Sequence, residues 1–432
     1  MKNTDYDLIG IGIGPSNLST AALMNPYKSE LNTLFIDAKQ TFKWHPGMMF
    51  EDAKLQVSVL KDLVTMIDPT SEFSFLNYLN KKDRLYMFAS KNGFSDIKRS
   101  EFEDYCKWVI SQMENMEFGQ EAKKIRIVDD VFELTTSKGV CKTKNIVMGV
   151  GLKPNIPEYC KNQLSDKLFH SSQFLLKKQS YAGKEIAIIG GGQSSCEIVE
   201  SLLRKPSSQR PSKIKWIFKE QILKGMENTP FDNDFYTPTY SDYYYNLDNN
   251  EKKRVIESQK YTSDGISEET IKSIYDLLYT HNVRGEEIVE IYNQSLLINL
   301  QDYGAHFELF LNNDYSVYAD NIILCTGYCQ QIPELIQHIS DNFVHEDGVL
   351  AIDEHYKIQP VNNQLKGSIY LHNGVNQSRG IANPNLSLLA RRSAIILNSL
   401  LQREVYEIKR GKSMINWNAR NSRVREAIEK QA

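Results

Sequence analysis

Two glycine-rich turns carry the chemistry most open to this chain. The first lies in Asp7-Leu-Ile-Gly-Ile-Gly12-Ile-Gly14-Pro15-Ser16-Asn17. Gly12 and Gly14 take the first two places of a GxGxxG phosphate turn, with Pro15 behind them, and Asn17 takes the third. Gly12 permits the tight turn. Gly14 lets the backbone approach a pyrophosphate seated at a helix N-terminus, where free N–H groups and the dipole favour an anion. Asn17 is bulkier than glycine, so looser helix–strand packing is expected there. Asp37, which closes Leu34-Phe35-Ile36, stands where an acid binds a ribose hydroxyl.

The second turn is Gly190-Gly191-Gly192-Gln193-Ser194-Ser195, a GxGxxS pattern between an apolar strand and a helix. Two such sites suggest one nucleotide that stays and one that visits, FAD at the first and a nicotinamide dinucleotide at the second. The next strand, Ile214 to Phe218, ends in Lys219 rather than an acid. A cation there suits a 2′-phosphate, so NADPH is favoured over NADH. Lys224 is a further candidate, and a solvated surface lysine is the alternative for Lys219.

These turns need elements to hold them. Strand, glycine turn and helix in that order form the βαβ pattern of a parallel sheet covered by helices. The fold class expected is α/β, with two Rossmann-like dinucleotide-binding domains and a smaller, mostly helical substrate region. The second motif follows too far behind the first for one βαβ unit, so a second domain is inserted into the first. The divisions expected are 1–165 for the FAD domain, 166–227 and about 280–318 for the NADPH domain, and 228–279 for the helical region. The chain then returns to the FAD domain over 319–410, beginning near Asn321, and 411–432 forms a charged tail.

The rest of the sequence excludes other classes. Net charge is −3 with mixed signs, which gives no nucleic-acid surface. No run approaches the ~20 apolar residues of a membrane helix. The N-terminus leads straight into a strand, leaving no room for a cleaved signal peptide, so a cytoplasmic protein is expected. The six cysteines form no CxxC pair and read as reduced structural thiols, Cys325 and Cys329 included. No HExxH is present and no protein metal site is expected. The lack of a dithiol also counts against a flavin disulfide reductase.

Several longer blocks resemble the siderophore-associated N-hydroxylating flavin monooxygenases, namely the lysine N6-, ornithine N5- and diamine enzymes. The FAD turn with Asn17 is followed by Trp44-His45-Pro46-Gly47-Met48 and by Leu55-Gln56-Val57-Ser58-Val59-Leu60-Lys61-Asp62. Pro230-Phe231-Asp232-Asn233 and Thr262-Ser263-Asp264-Gly265-Ile266 match the substrate region. Leu324-Cys325-Thr326-Gly327-Tyr328 resembles a late ATGY block, and Asn385-Leu386-Ser387-Leu388 a flavin-proximal one. His170 and Phe174 resemble the end of the class B monooxygenase fingerprint, but Leu164 and Asp166 break it. That break, with the polar substrate region, counts against a Baeyer–Villiger or hydrophobic-substrate enzyme.

The resemblance implies that NADPH reduces FAD, that O2 adds to give a C4a-hydroperoxyflavin, and that a neutral primary amine attacks it and becomes a hydroxylamine. The flavin then supplies the oxidant, and the protein must hold the amine, exclude water and let the amine shed its proton. In this scheme Gln56 lies beside the flavin ring, and Trp44, His45, Thr326, Gly327, Leu386 and Ser387 belong to the cofactor sites. Lys61 pairs with a substrate carboxylate, and Asn233 touches substrate and nicotinamide ribose. Ser263 and Asp264 replace the Asn-Tyr of ornithine enzymes. Asp264 would meet a second ammonium or cap a helix starting near Ser267. Lys61 favours L-lysine, while other stretches look like diamine enzymes acting on putrescine or cadaverine; histamine is a further alternative, and so is a non-catalytic nucleotide-binding paralogue. A homo-oligomer, tetrameric by the same resemblance, is expected, with no nucleic-acid or membrane partner.

Overall fold

A computed structural model describes residues 4–91, 97–329, 332–362 and 365–417. The first sheet centres on Tyr6–Ile11, which pairs in parallel with Thr33–Asp37 on one side and with Gly139–Met148 on the other. Leu8, Ile9 and Phe35 are fully buried. A side chain at Gly10 would overlap the Phe35 ring on the neighbouring strand, so glycine there lets the two strands close. Helix Pro15–Met24 leaves the first glycine turn and is buried almost throughout, between this sheet and helix Leu389–Leu401. Thr20 meets Ser393 on that helix, and Leu23 O accepts from Tyr406 in the segment beyond it.

The second sheet is all parallel, in the order Val289–Tyr292, Lys213–Ile217, Glu185–Ile189, Asn321–Leu324, Leu168–His170. This corrects the expected return to the FAD domain near Asn321. That strand joins the second sheet, and the return strand is Ser368–Leu371, paired with Gly139–Met148. The three-stranded antiparallel sheet spanning residues 297–319 packs its apolar side on the second sheet and delivers the chain there.

Asn17 corrects a second expectation. It is fully buried, and its Nδ2 donates to the carbonyls of Ile11 at 3.1 Å and Gly12 at 2.8 Å. The junction is therefore cross-linked rather than loose. Gly149 supplies the space, since a Cβ there would lie 2.7 Å from the Asn17 amide.

Residues 228–283 hold a short 3-10 turn, Asp232–Tyr236, and helices Pro238–Tyr245, Asn249–Ser258, Lys260–Asp264 and Glu268–Val283. They are tied to the first domain by Arg391 to Asp242 and by Arg379 stacked 3.9 Å over Tyr245. Residues 411–417 lie on this region instead of trailing free, through Trp417; residues 418–432 of the expected tail lie outside the described residues. Among the described residues no helix is long and apolar enough to cross a membrane, and no cluster of His, Cys, Asp and Glu could hold a metal ion.

Candidate functional site

The two glycine turns sit at the carboxyl ends of their sheets, where open α/β sheets bind ligands. Gly12 has φ +90, and a Cβ there would meet the Gly149 carbonyl at 2.5 Å; Gly190 has φ +129 and would meet the Cys325 carbonyl at 2.2 Å. Only glycine fits either place. Beyond them, Gly14 and Gly192 are the N-caps of helices Pro15–Met24 and Gln193–Leu203, and neither helix has a side-chain cap. Ser74, Thr237, Asp248 and Ser267 do cap the helices they precede. Two helices therefore present uncapped first-turn N–H groups behind open glycines, which suits a pyrophosphate at each. Ser194 and Ser195 lie in that second first turn, Ser195 Oγ donating to Gly192 O at 2.7 Å. Asp37 closes the first turn, its Oδ2 accepting from Ile13 N at 2.9 Å and its Oδ1 from Lys39 N at 2.8 Å.

A cleft of about 1700 Å³ lies between the domains and the helical region. It gathers Gln56, Lys61, Gln193, Asn233, Ser263 and Ser387, residues scattered over most of the chain. Gln56 and Lys61 come from an irregular segment of the first domain. Lys61 is half-buried, with no ion-pair partner among the described residues, and burial pushes its ammonium pKa down. Asn233 lies on the turn Asp232–Tyr236; its Nδ2 donates to Asn228 Oδ1 at 3.0 Å and Thr229 O at 3.2 Å. That leaves its Oδ1 without a donor among the described residues, an acceptor suited to an amine N–H. Gln193 ties two elements of the cleft, accepting from Ser267 N at 2.9 Å and donating to Thr270 Oγ1 at 3.1 Å. Asn385 caps the turn that presents Ser387, accepting from its N at 2.8 Å and its Oγ at 2.7 Å; Leu386 packs into the first core.

Other expected site residues lie elsewhere. Trp44 packs on Phe102, its backbone N–H donating to Glu103 at 2.9 Å, and His45 is exposed, in the left-handed region at φ 48. Neither lines the cleft. Desolvation, with Arg99 and Lys39 nearby, lowers the His45 pKa to about 4. The next glycine, Gly47, marks the contact between domains, since a Cβ there would collide with the Ser172 carbonyl. Thr326 and Gly327 follow the strand beside the second turn, bonded to Asn155, with His170 Nε2 3.0 Å from Gly327 O. Asp264 is exposed and outside the cleft lining, held to Ser263 Oγ at 2.9 Å, and Ser267 caps the following helix itself. Neither role offered for Asp264 matches its position.

Lys219 is exposed at the end of its strand. Next to it Glu220 reaches back to the second turn, its carboxylate 3.4 Å from where a Gly191 Cβ would stand, and Lys260 pairs with it at 3.0 Å. Sequence reasoning missed this acid because it stopped at the strand end. It also missed Glu227, which lines the cleft and accepts from Thr262 Oγ1 at 2.9 Å. No spacing signal points to Glu227, which sits in a loop.

A family model described as L-lysine 6-monooxygenase/L-ornithine 5-monooxygenase matches residues 4–331. The chain is 34% identical to a putrescine N-hydroxylase of Acinetobacter baumannii, over 94% of this chain and 92% of that protein. It is 30% identical to the L-lysine N6-monooxygenase of Escherichia coli, over 95% and 98%. The crystal structure of a cadaverine monooxygenase from Erwinia amylovora, bound to FAD, superposes with a TM-score of 0.87 at 29% identity, covering 96% of this chain and 98% of that one.

Proposed function

The chain belongs to the L-lysine 6-monooxygenase/L-ornithine 5-monooxygenase family, and from that premise we propose that it hydroxylates the terminal primary amine of a small polar molecule, using FAD, NADPH and O2, in siderophore biosynthesis. FAD fits the turn at Gly12, Gly14 and Asp37, and NADPH the turn at Gly190, Gly192, Ser194 and Ser195. Bound there, the flavin would take a hydride from NADPH and activate O2. The protein's own residues do the rest. Gln56 and Ser387 face the cleft from the first domain. Asn233 Oδ1 holds the reacting amine by an N–H, a contact that a neutral amine keeps after losing its proton.

The observation that carries the substrate class is Lys61, a half-buried ammonium facing the cleft with no carboxylate paired to it among the described residues. A buried charge without a partner is costly, and a substrate α-carboxylate supplies one, which favours L-lysine. Glu227 favours a second reading. A cleft carboxylate with one hydroxyl partner suits the distal ammonium of putrescine or cadaverine.

The test is hydroxylamine formation measured beside NADPH consumption, for L-lysine, putrescine, cadaverine, L-ornithine and histamine. Coupled product from L-lysine supports the Lys61 reading. Coupled product from a diamine, with lysine only driving peroxide release, moves the assignment to Glu227. A colourless protein with no NADPH-dependent O2 uptake would instead mark a non-catalytic paralogue.

A further inference from the structure

The turn that carries Asn233 is held from behind by the far end of the chain. Trp417 Nε1 donates to Asp234 Oδ2 at 2.8 Å, and Ser413 Oγ donates to the same oxygen at 2.5 Å. The indole ring lies edge-on to Tyr240 with centroids 4.7 Å apart, and within 5.6 Å of Phe235 and 5.7 Å of Tyr243. Thr239 Oγ1 adds a bond to the Arg410 carbonyl at 2.9 Å.

Asp234 is the residue after Asn233 on the five-residue turn Asp232–Tyr236. A 3-10 turn that short has poor internal hydrogen-bond geometry and takes its position from its surroundings. Here the surroundings come from three directions. Thr229 and Asp232 tie the turn locally, with Thr229 N and Oγ1 both donating to Asp232 Oδ2. Tyr236 Oη reaches the Thr262 carbonyl at 2.8 Å. The Trp417 and Ser413 bonds to Asp234 come from outside the helical region. The Asp234 carboxylate receives two donors from the C-terminal segment, so its place is set by that segment.

We infer that Trp417 and Asp234 are positioning residues, which fix the turn that presents Asn233 and so set where the substrate amine sits in the cleft. This rests on reading Asn233 as the amine contact. The expected effect is kinetic, because a misplacement of about 1 Å costs on the order of 100-fold in a reaction that depends on orientation.

Full-length Trp417→Ala, Trp417→Phe and Asp234→Asn provide the test. Trp417→Ala should raise the KM for the amine about tenfold and divert NADPH oxidation toward peroxide, leaving FAD content and the KM for NADPH unchanged. Trp417→Phe keeps the ring packing and should recover most of the coupling, with Asp234→Asn between the two. Hydrogen exchange of residues 228–237 reads the contact without reference to the reaction and should quicken in Trp417→Ala while residues 193–203 stay protected. Unchanged exchange overturns the inference. So does a loss of activity that tracks thermal stability and FAD occupancy equally in all three variants. Faster exchange with an unchanged amine KM refutes the role given to Asn233 and leaves the mechanical contact standing.

Discussion

Arg99 and Glu197 join the two nucleotide domains by a two-point ion pair. Arg99 opens helix Arg99–Ile110 of the first domain, and its two terminal nitrogens reach the Glu197 carboxylate on helix Gln193–Leu203 at 2.6 and 3.0 Å. Nη1 also donates to Met48 O at 3.1 Å, and Gln193 Nε2 donates to Glu197 at 3.0 Å. Both side chains are largely buried, 17% and 11% exposed, so the pair is shielded from water. Removing one partner of such a pair costs about 3–5 kcal/mol, because the other charge stays buried. Arg99→Ala should therefore lower the unfolding temperature measured by calorimetry. It should also slow flavin reduction by NADPH in stopped flow, since the helix behind the second turn loses its register on the first domain. Glu197→Gln should cost less.

Lys61 provides a test of substrate class by subtraction. A hydrogen bond to a charged group contributes about 1.5–3 kcal/mol, or roughly ten- to hundredfold in binding. Lys61→Ala should raise the KM for L-lysine by that factor and leave the KM for cadaverine, the same chain without its carboxylate, nearly unchanged. Equal effects on both would end the carboxylate assignment.

Acid should destabilise the fold through a buried neutral histidine. His372 is fully buried, with Arg392 Nε donating to its Nδ1 at 3.0 Å, and desolvation holds its pKa well below the ordinary value of 6.5. The unfolded chain therefore takes up a proton that the folded one refuses once the pH falls below about 6.5. Stability from this group is complete above about pH 6.5 and is lost as pH falls below it. Denaturation midpoints should fall steadily from about pH 7 to about pH 5, and His372→Gln should flatten the profile.

The second glycine turn separates folding from binding. A Cβ at Gly190 meets the Cys325 carbonyl, whereas at Gly192 it meets nothing within 4 Å. Gly190→Ala should displace the turn and lower stability. Gly192→Ala should unfold within about 0.5 kcal/mol of the parent, as a substitution into open space does. It should still raise the KM for NADPH, because the new methyl stands where a pyrophosphate approaches the helix. Urea melts and NADPH titrations of both variants distinguish these outcomes.

The two nucleotide turns were legible in the sequence because each is local. An apolar strand, a glycine that must take positive φ, and a helix start all fall within about a dozen residues, and Gly12 and Gly190 are glycines for the reason the pattern implies. The block with Gln56 and Lys61 was legible only as a resemblance, since an irregular segment has no periodicity to read. Tertiary structure alone decided the rest. Asn321–Leu324 is buried on both faces, and such a strand reads the same in either parallel sheet; long-range pairing put it in the second. Asn17 was expected to loosen its junction, but a gap at Gly149, more than a hundred residues away, lets it bond across instead. Glu220 reaches the nucleotide turn and Glu227 the cleft from loops whose paths depend on what they pack against. Trp417 finds Asp234 across 183 residues of chain. Backbone constraints act between neighbours in sequence and leave a mark there, whereas a side chain's partner is set by the packing of the whole chain.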